Sequence, residues 1–151
     1  MSDRPPAKEP YRFGLSFQSS PLMVRHALSE VMSRLQKKGV REKDCGVFEL
    51  ALAEVLNNIV EHAYEGSDTG SITLSITIWN NSLNCEISDI GKAMPDLSLP
   101  VPKQKELNVG LERLPEGGWG WMMIRELSDS ITYQRTSGRN KLAFQMGLDQ
   151  A

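Results

Sequence analysis

Histidine and cysteine are scarce in this 151-residue chain, which has two of each: His26, His62, Cys45 and Cys85. So few soft ligands leave almost no material for a zinc site. The two cysteines fall in segments that read as a helix and a strand, so they are expected as buried reduced thiols rather than as a disulfide. Charge of one sign is also lacking. Seventeen basic residues face nineteen acidic ones, for a formal net charge of −2, and the basic residues are scattered. That balance excludes the electrostatic footprint that direct binding of a nucleic-acid backbone requires. No apolar run is long enough to span a bilayer, and the opening MSDRPPAKEP is polar and proline-rich, with no apolar targeting core. The expectation is a cytoplasmic protein without a membrane partner.

What is present suits one globular domain. Hydrophobic residues make up 40% of the chain and charged residues 24%, too apolar for a disordered protein and ordinary for a single core. Residues 1–10 have no periodic pattern and read as a flexible leader, so the domain is assigned to 11–148. Tyr11 to Phe17 alternates apolar and polar positions, as a half-buried strand does. Ser19-Ser20-Pro21 then offers an N-cap and a first-turn proline. Leu22, Val24, Ala27, Leu28, Val31, Met32 and Leu35 follow at helical spacing until Gly39. A second helix is predicted from about Glu42 to Tyr64. Ile72 to Trp79 and Leu83 to Ser88 form a predicted hairpin around Asn80-Asn81-Ser82. Residues 91–118, rich in proline and glycine, read as a long loop, the kind that serves as a lid. Trp119 to Leu127 reads as a third helix, and Ile131 to Arg135 with Lys141 to Met146 as a closing hairpin turned at Ser137-Gly138. The predicted class is α+β: a two-layer sandwich with a mostly antiparallel sheet of about five strands, covered on one face by three helices.

Three clusters carry candidate chemistry. On the second helix, Cys45, Phe48, Leu52, Val55, Leu56, Ile59 and Ala63 form an apolar core stripe. The opposite face starts with Val47, Leu50 and Ala51, then changes to Glu54, Asn58, Glu61 and His62 along the same line. A carboxylate one turn before an amide suits a magnesium nucleotide, with the Asn oxygen as a hard neutral ligand and the Glu as a base beside it. From the helix alone, a solvated face is the competing reading. Asp89-Ile90-Gly91 ends a strand of buried type. The Asp can accept a hydrogen bond from an exocyclic amine while the Gly admits a flat ring, although Asp-x-Gly is also a common turn. Gly117-Gly118-Trp119-Gly120 precedes a helical run, where free backbone N–H groups and a helix N-terminus can cradle phosphates. A flexible connector is the alternative there.

The order of these clusters resembles a known family. Glu54-Val55-Leu56-Asn57-Asn58-Ile59-Val60-Glu61-His62-Ala63-Tyr64 is similar to the N-box of the superfamily of gyrase, histidine kinases and mismatch-repair ATPases. More closely, it resembles that of the anti-sigma-factor serine/threonine kinases, with Glu, Asn and His-Ala-Tyr at the same spacing. Asp89-Ile90-Gly91 resembles the adenine box, and Gly117 to Arg125 the second glycine box. Asp129, Tyr133 and Gly138-x-Asn140-x-Leu142 are similar to the closing strands. Lys92-Ala93-Met94-Pro95-Asp96 departs from the family's usual continuation after Gly91, and Trp119 and Trp121 are bulkier than usual.

The resemblance implies a histidine-kinase-like ATPase fold with ATP and magnesium as cofactors. Glu54 would be the general base, Asn58 the magnesium ligand, and Asp89 with Gly91 the adenine site. Gly117, Gly118, Trp119 and Gly120 would line the phosphates, His62 would sit beside the nucleotide, and an ATP lid would run over about 92–116. The implied function is phosphorylation of a small antagonist protein and sequestration of a sigma factor by partner switching, with homodimerisation left open. A nucleotide-binding module without catalysis is the alternative. A detached histidine-kinase domain is a third reading, against which stands the lack of a helix pair bearing a phosphoacceptor histidine.

Overall fold

The computed structural model describes residues 9–94, 124–126 and 128–148. Most of the expected leader (1–8), most of the expected lid (95–116) and the glycine box at Gly117, Gly118, Trp119 and Gly120 lie outside the described residues.

Among the described residues five strands form one antiparallel sheet: β1 (Tyr11–Gln18), β2 (Ser71–Trp79), β3 (Ser82–Asp89), β4 (Ser128–Thr136) and β5 (Arg139–Gly147). Their order across the sheet is β1-β2-β3-β5-β4, so the closing hairpin lies beside β3 with β4 at the edge. The helices α1 (Pro21–Lys37) and α2 (Glu42–Asn58) cover one face, and residues 124–126 are helical as well. The α+β sandwich read from the sequence is the observed one.

Strand alternation puts Phe13, Ile72, Leu74, Ile76, Leu83, Ile87, Leu142, Phe144 and Met146 on the helix side, where all are buried. From the helices, Phe48, Leu52, Leu56, Val31 and Leu35 meet them with almost no exposed surface. The rings of Phe48 and Phe144 lie 5.8 Å apart at the centre of this layer. Two boundaries in the chain come directly from turn chemistry. Asn80 and Asn81 take φ of 51° and 57°, and Ser137 and Gly138 take 52° and 78°, the paired left-handed conformation of two-residue hairpin turns. Ser82, predicted as part of the turn, instead pairs with Trp79 as the first residue of β3.

The Ser20 hydroxyl caps α1 by accepting from the Met23 N–H at 3.1 Å. Gly39 (φ 82°) closes it, with the N–H groups of Gly39 and Val40 returning to the carbonyls of Gln36 and Leu35. Leu22, the first of the apolar residues at helical spacing, is 57% exposed.

The second helix differs from its prediction in two ways. Ala51, assigned to the face opposite the core, is 2% exposed and belongs to the core, whereas Leu50 is 60% exposed. Past Asn58 the helix does not stay α-helical: Ile59–Ala63 forms a π-helical turn, closed by a 3.0 Å bond from the Tyr64 N–H to the Ile59 carbonyl. Val60, outside the predicted stripe, is buried beside Ile59.

Candidate nucleotide site

The π-helical turn borders a cavity of about 290 Å³ between α2, the end of β3 and the closing hairpin. That is near the low end for small-molecule sites and suits a base and its sugar better than a whole nucleoside triphosphate. Val55, Ile59, Ala63, Ile87 and Leu142 supply apolar walls, and Asn58, His62, Asp89, Tyr133 and Asn140 bring polar atoms to it. Lys92, Ala93 and Met94, the residues that depart from the family pattern, form a further wall.

Asp89 is the last residue of β3, on the inward-facing register, which makes it a carboxylate in the core layer at a sheet end. Only 5% of its surface is exposed. Burial pushes its pKa above the ordinary carboxylate range, opposed by hydrogen bonds from Asn140 and the Gly91 N–H and by the charge of Arg135. Both bonds arrive at Oδ1, from the Gly91 N–H at 2.9 Å and Asn140 Nδ2 at 2.8 Å. Oδ2 is left for a donor in the cavity, as an exocyclic amine requires.

Asn58, half-buried on the cavity wall, presents a neutral amide oxygen of the kind magnesium takes alongside phosphate and water oxygens. Among the described residues no group of three or more His, Cys, Asp and Glu side chains could hold a metal, so the Asn58 oxygen would act with the nucleotide's own oxygens. Glu54 lies one helical turn earlier, half-buried, and its side chain is already engaged rather than free. His62, in the π-helical turn, is exposed at the cavity rim.

Gly91 has a specific packing reason to lack a side chain. A Cβ there would fall 2.4 Å from the Ala63 carbonyl oxygen and 2.7 Å from its carbon. This close approach lets the Lys92 N–H donate to the same carbonyl at 2.7 Å, filling an acceptor that the end of the helix leaves over. Tyr64 fastens the same corner, donating to the Ser71 carbonyl at 2.5 Å and accepting from the Ile90 N–H at 2.9 Å. Burial raises its pKa above that of an ordinary tyrosine.

The structure thus brings together Asn58, His62 and Asp89, with Glu54 and Gly91 at the margins. It adds roles that no single motif assigned: Asn140, Tyr133 and Arg135 surround Asp89 from the closing hairpin. Asn140 pairs with Asp89 across β3 and β5, and with Arg135 across β4 and β5, so the three form one cross-strand row. The Gly138-x-Asn140 pattern at the hairpin marked the place, and strand register gives the role.

A buried strand-end carboxylate, a Glu/Asn pair on the facing helix and an apolar cavity thus lie together in one α+β sandwich. The family described as the histidine kinase-like ATPase domain matches residues 17–146. A serine-protein kinase RsbW of Bacillus cereus is 29% identical over 124 residues, covering 80% of this chain and 73% of that protein. RsbW of Staphylococcus aureus is 31% identical over 121 residues, covering 77% and 72%. Among solved structures, the RsbU and RsbW domains of a Mycobacterium tuberculosis protein superpose with a TM-score of 0.66 at 15% identity. That match covers 93% of this chain and 33% of the other. The Pseudomonas aeruginosa SiaB–SiaC complex gives a TM-score of 0.60 at 12% identity, covering 89% of this chain and 88% of the other. The chain belongs to the histidine kinase-like ATPase domain family, among its serine-protein kinases.

Proposed function

We propose that this kinase uses ATP and magnesium to phosphorylate a serine or threonine of a small antagonist protein and, when free of the antagonist, sequesters a sigma factor. The observation that carries the reading is the Glu54/Asn58 pair on the helix that walls a cavity ending at buried Asp89. Magnesium ATP, when bound, supplies the phosphoryl group and neutralises the charge of its transfer. Asp89 Oδ2 would accept from the amine of the base, and Asn58 would present its oxygen to the metal. Glu54 would take the proton of the attacking hydroxyl, a role its position one turn from Asn58 supports. The resemblance of their sequence to the second glycine box assigns Gly117, Gly118, Trp119 and Gly120 to the phosphates, and His62 and Gly91 would shape the rim. The kinase works in the cytoplasm, where sigma factors are, and alone or as a homodimer.

The altered segment Lys92-Ala93-Met94 walls the cavity and favours a second reading, a nucleotide-regulated binding module. Radiolabelled ATP and a co-encoded antagonist separate the two. Phosphoserine or phosphothreonine on the antagonist is the expected result. Phosphohistidine would move the chain to a different reaction, and no transfer with nucleotide binding intact would leave the module.

A further inference from the structure

We infer that Asn140 and Arg135 are positioning residues that set the nucleobase specificity of the site, by holding Asp89 as a fixed acceptor for an amino-purine. The inference rests on the reading of Asp89 as the base-binding group. It goes beyond that reading by naming what orients the carboxylate.

Asn140 is 4% exposed and all of its hydrogen-bonding capacity is used. Its Nδ2 donates to Asp89 Oδ1 at 2.8 Å and to the Lys92 carbonyl at 2.9 Å. Its Oδ1 accepts from Arg135 at 2.8 Å and from the Tyr133 hydroxyl at 2.5 Å. The two donors on Oδ1 decide the orientation of the amide, because the reversed amide would point N–H groups at the Arg135 guanidinium. With that orientation fixed, Nδ2 must face Asp89. The same guanidinium nitrogen donates to the Gly91 carbonyl at 2.9 Å, and the Tyr133 hydroxyl accepts from the Met94 N–H at 3.1 Å. The row therefore holds both the carboxylate and the chain that leaves it.

The consequence is chemical. An aspartate torsion about its last bond is soft, so one anchor from the Gly91 N–H would let the carboxylate swing. Two anchors on Oδ1 turn Oδ2 into the cavity, and both favour the ionised form, which only accepts. An acceptor there bonds the amine of adenine and repels the carbonyl oxygen that guanine presents at the same position. Asn140 borders the cavity, but with its amide engaged by protein groups it acts on the base by fixing Asp89.

Calorimetry with MgATP and with MgGTP on the full chain tests this, using wild type, Asn140→Ala and Arg135→Met. Wild type should prefer ATP. Asn140→Ala should reduce the ATP-to-GTP affinity ratio by roughly tenfold or more, the worth of a hydrogen bond to a charged group. Arg135→Met should lower the ratio in the same direction, and because Arg135 lies on the edge strand it serves where Asn140→Ala does not fold. A purely structural role would weaken both nucleotides alike and leave the ratio unchanged, which would overturn the inference while the site itself stands. Wild type that binds neither nucleotide would overturn the site and the inference together.

Discussion

Asn58 and Glu54 sit one turn apart and do different work, so single substitutions separate binding from chemistry. Asn58→Ala removes the neutral oxygen on the cavity wall without touching the buried face of α2. The magnesium-dependent part of nucleotide affinity should fall by roughly ten- to a hundredfold, with an unchanged circular-dichroism spectrum. Wild-type affinity in this variant would remove Asn58 from the site. Glu54→Gln keeps shape but cannot take a proton, so phosphoryl transfer should fall by roughly two to four orders of magnitude while nucleotide binding persists. Phosphate-transfer rates that match wild type would exclude Glu54 as the base. Asp89 gives a pH signature. Its folded pKa is raised by burial, so the folded state retains a proton that the unfolded chain has lost. The stability this contributes is full below the ordinary aspartate value of about 4 and is lost as pH rises through the raised value. Asp89→Asn should flatten that part of the curve in urea unfolding measured at a series of pH values, and an unaltered curve would show that another group titrates there.

At the scale of elements, the junction of the π-helical turn with the end of β3 is the tightest fit in the site. Gly91→Ala would drive a methyl into the Ala63 carbonyl, which is backbone and cannot rotate away. The strand end must shift, and the variant should lose about 1–3 kcal/mol of stability together with nucleotide affinity. Gly46 is the control within α2: a Cβ there meets nothing within 4 Å. Gly46→Ala should stabilise by about 0.5–1 kcal/mol through helix propensity, and denaturation midpoints that moved the same way for both variants would refute the packing account.

The same junction shows what a sequence can and cannot tell. Alternation identified β1 and β-rich runs around turn residues the other four strands, and Ser20, Gly39 and the two hairpin turns bounded their elements, because each of these signals is local. The π-helical turn was not legible, since a fixed 100° period carries no sign of the bond from the Tyr64 N–H to the Ile59 carbonyl that widens it. Nor was the role of Asn140. Its partner is 51 residues away, and only the register of β3 on β5 puts them face to face.

For the whole molecule, the site joins parts that are distant in sequence: α2, the end of β3 and the β4–β5 hairpin each contribute a wall. Opening the fold anywhere along these walls therefore dismantles the site, and a ligand that binds only the assembled form must stabilise all of it. Affinity should be micromolar or weaker, because the cavity of about 290 Å³ encloses little more than the base and sugar. At a hundredfold excess over its dissociation constant, magnesium ATP should then add about 2.7 kcal/mol to the unfolding free energy. For a chain of this length that corresponds to a rise in melting temperature of roughly 5–10 °C. Thermal scans with magnesium ATP, with ATP and a chelator, and with Asn58→Ala at the wild-type ligand concentration would check it. The first should show the full rise and the other two a small fraction of it. A rise of equal size in all three would mean that the nucleotide stabilises the fold without the metal, leaving Asn58 no part in binding it, and no rise even at millimolar nucleotide would mean that the cavity beside Asp89 is not the site.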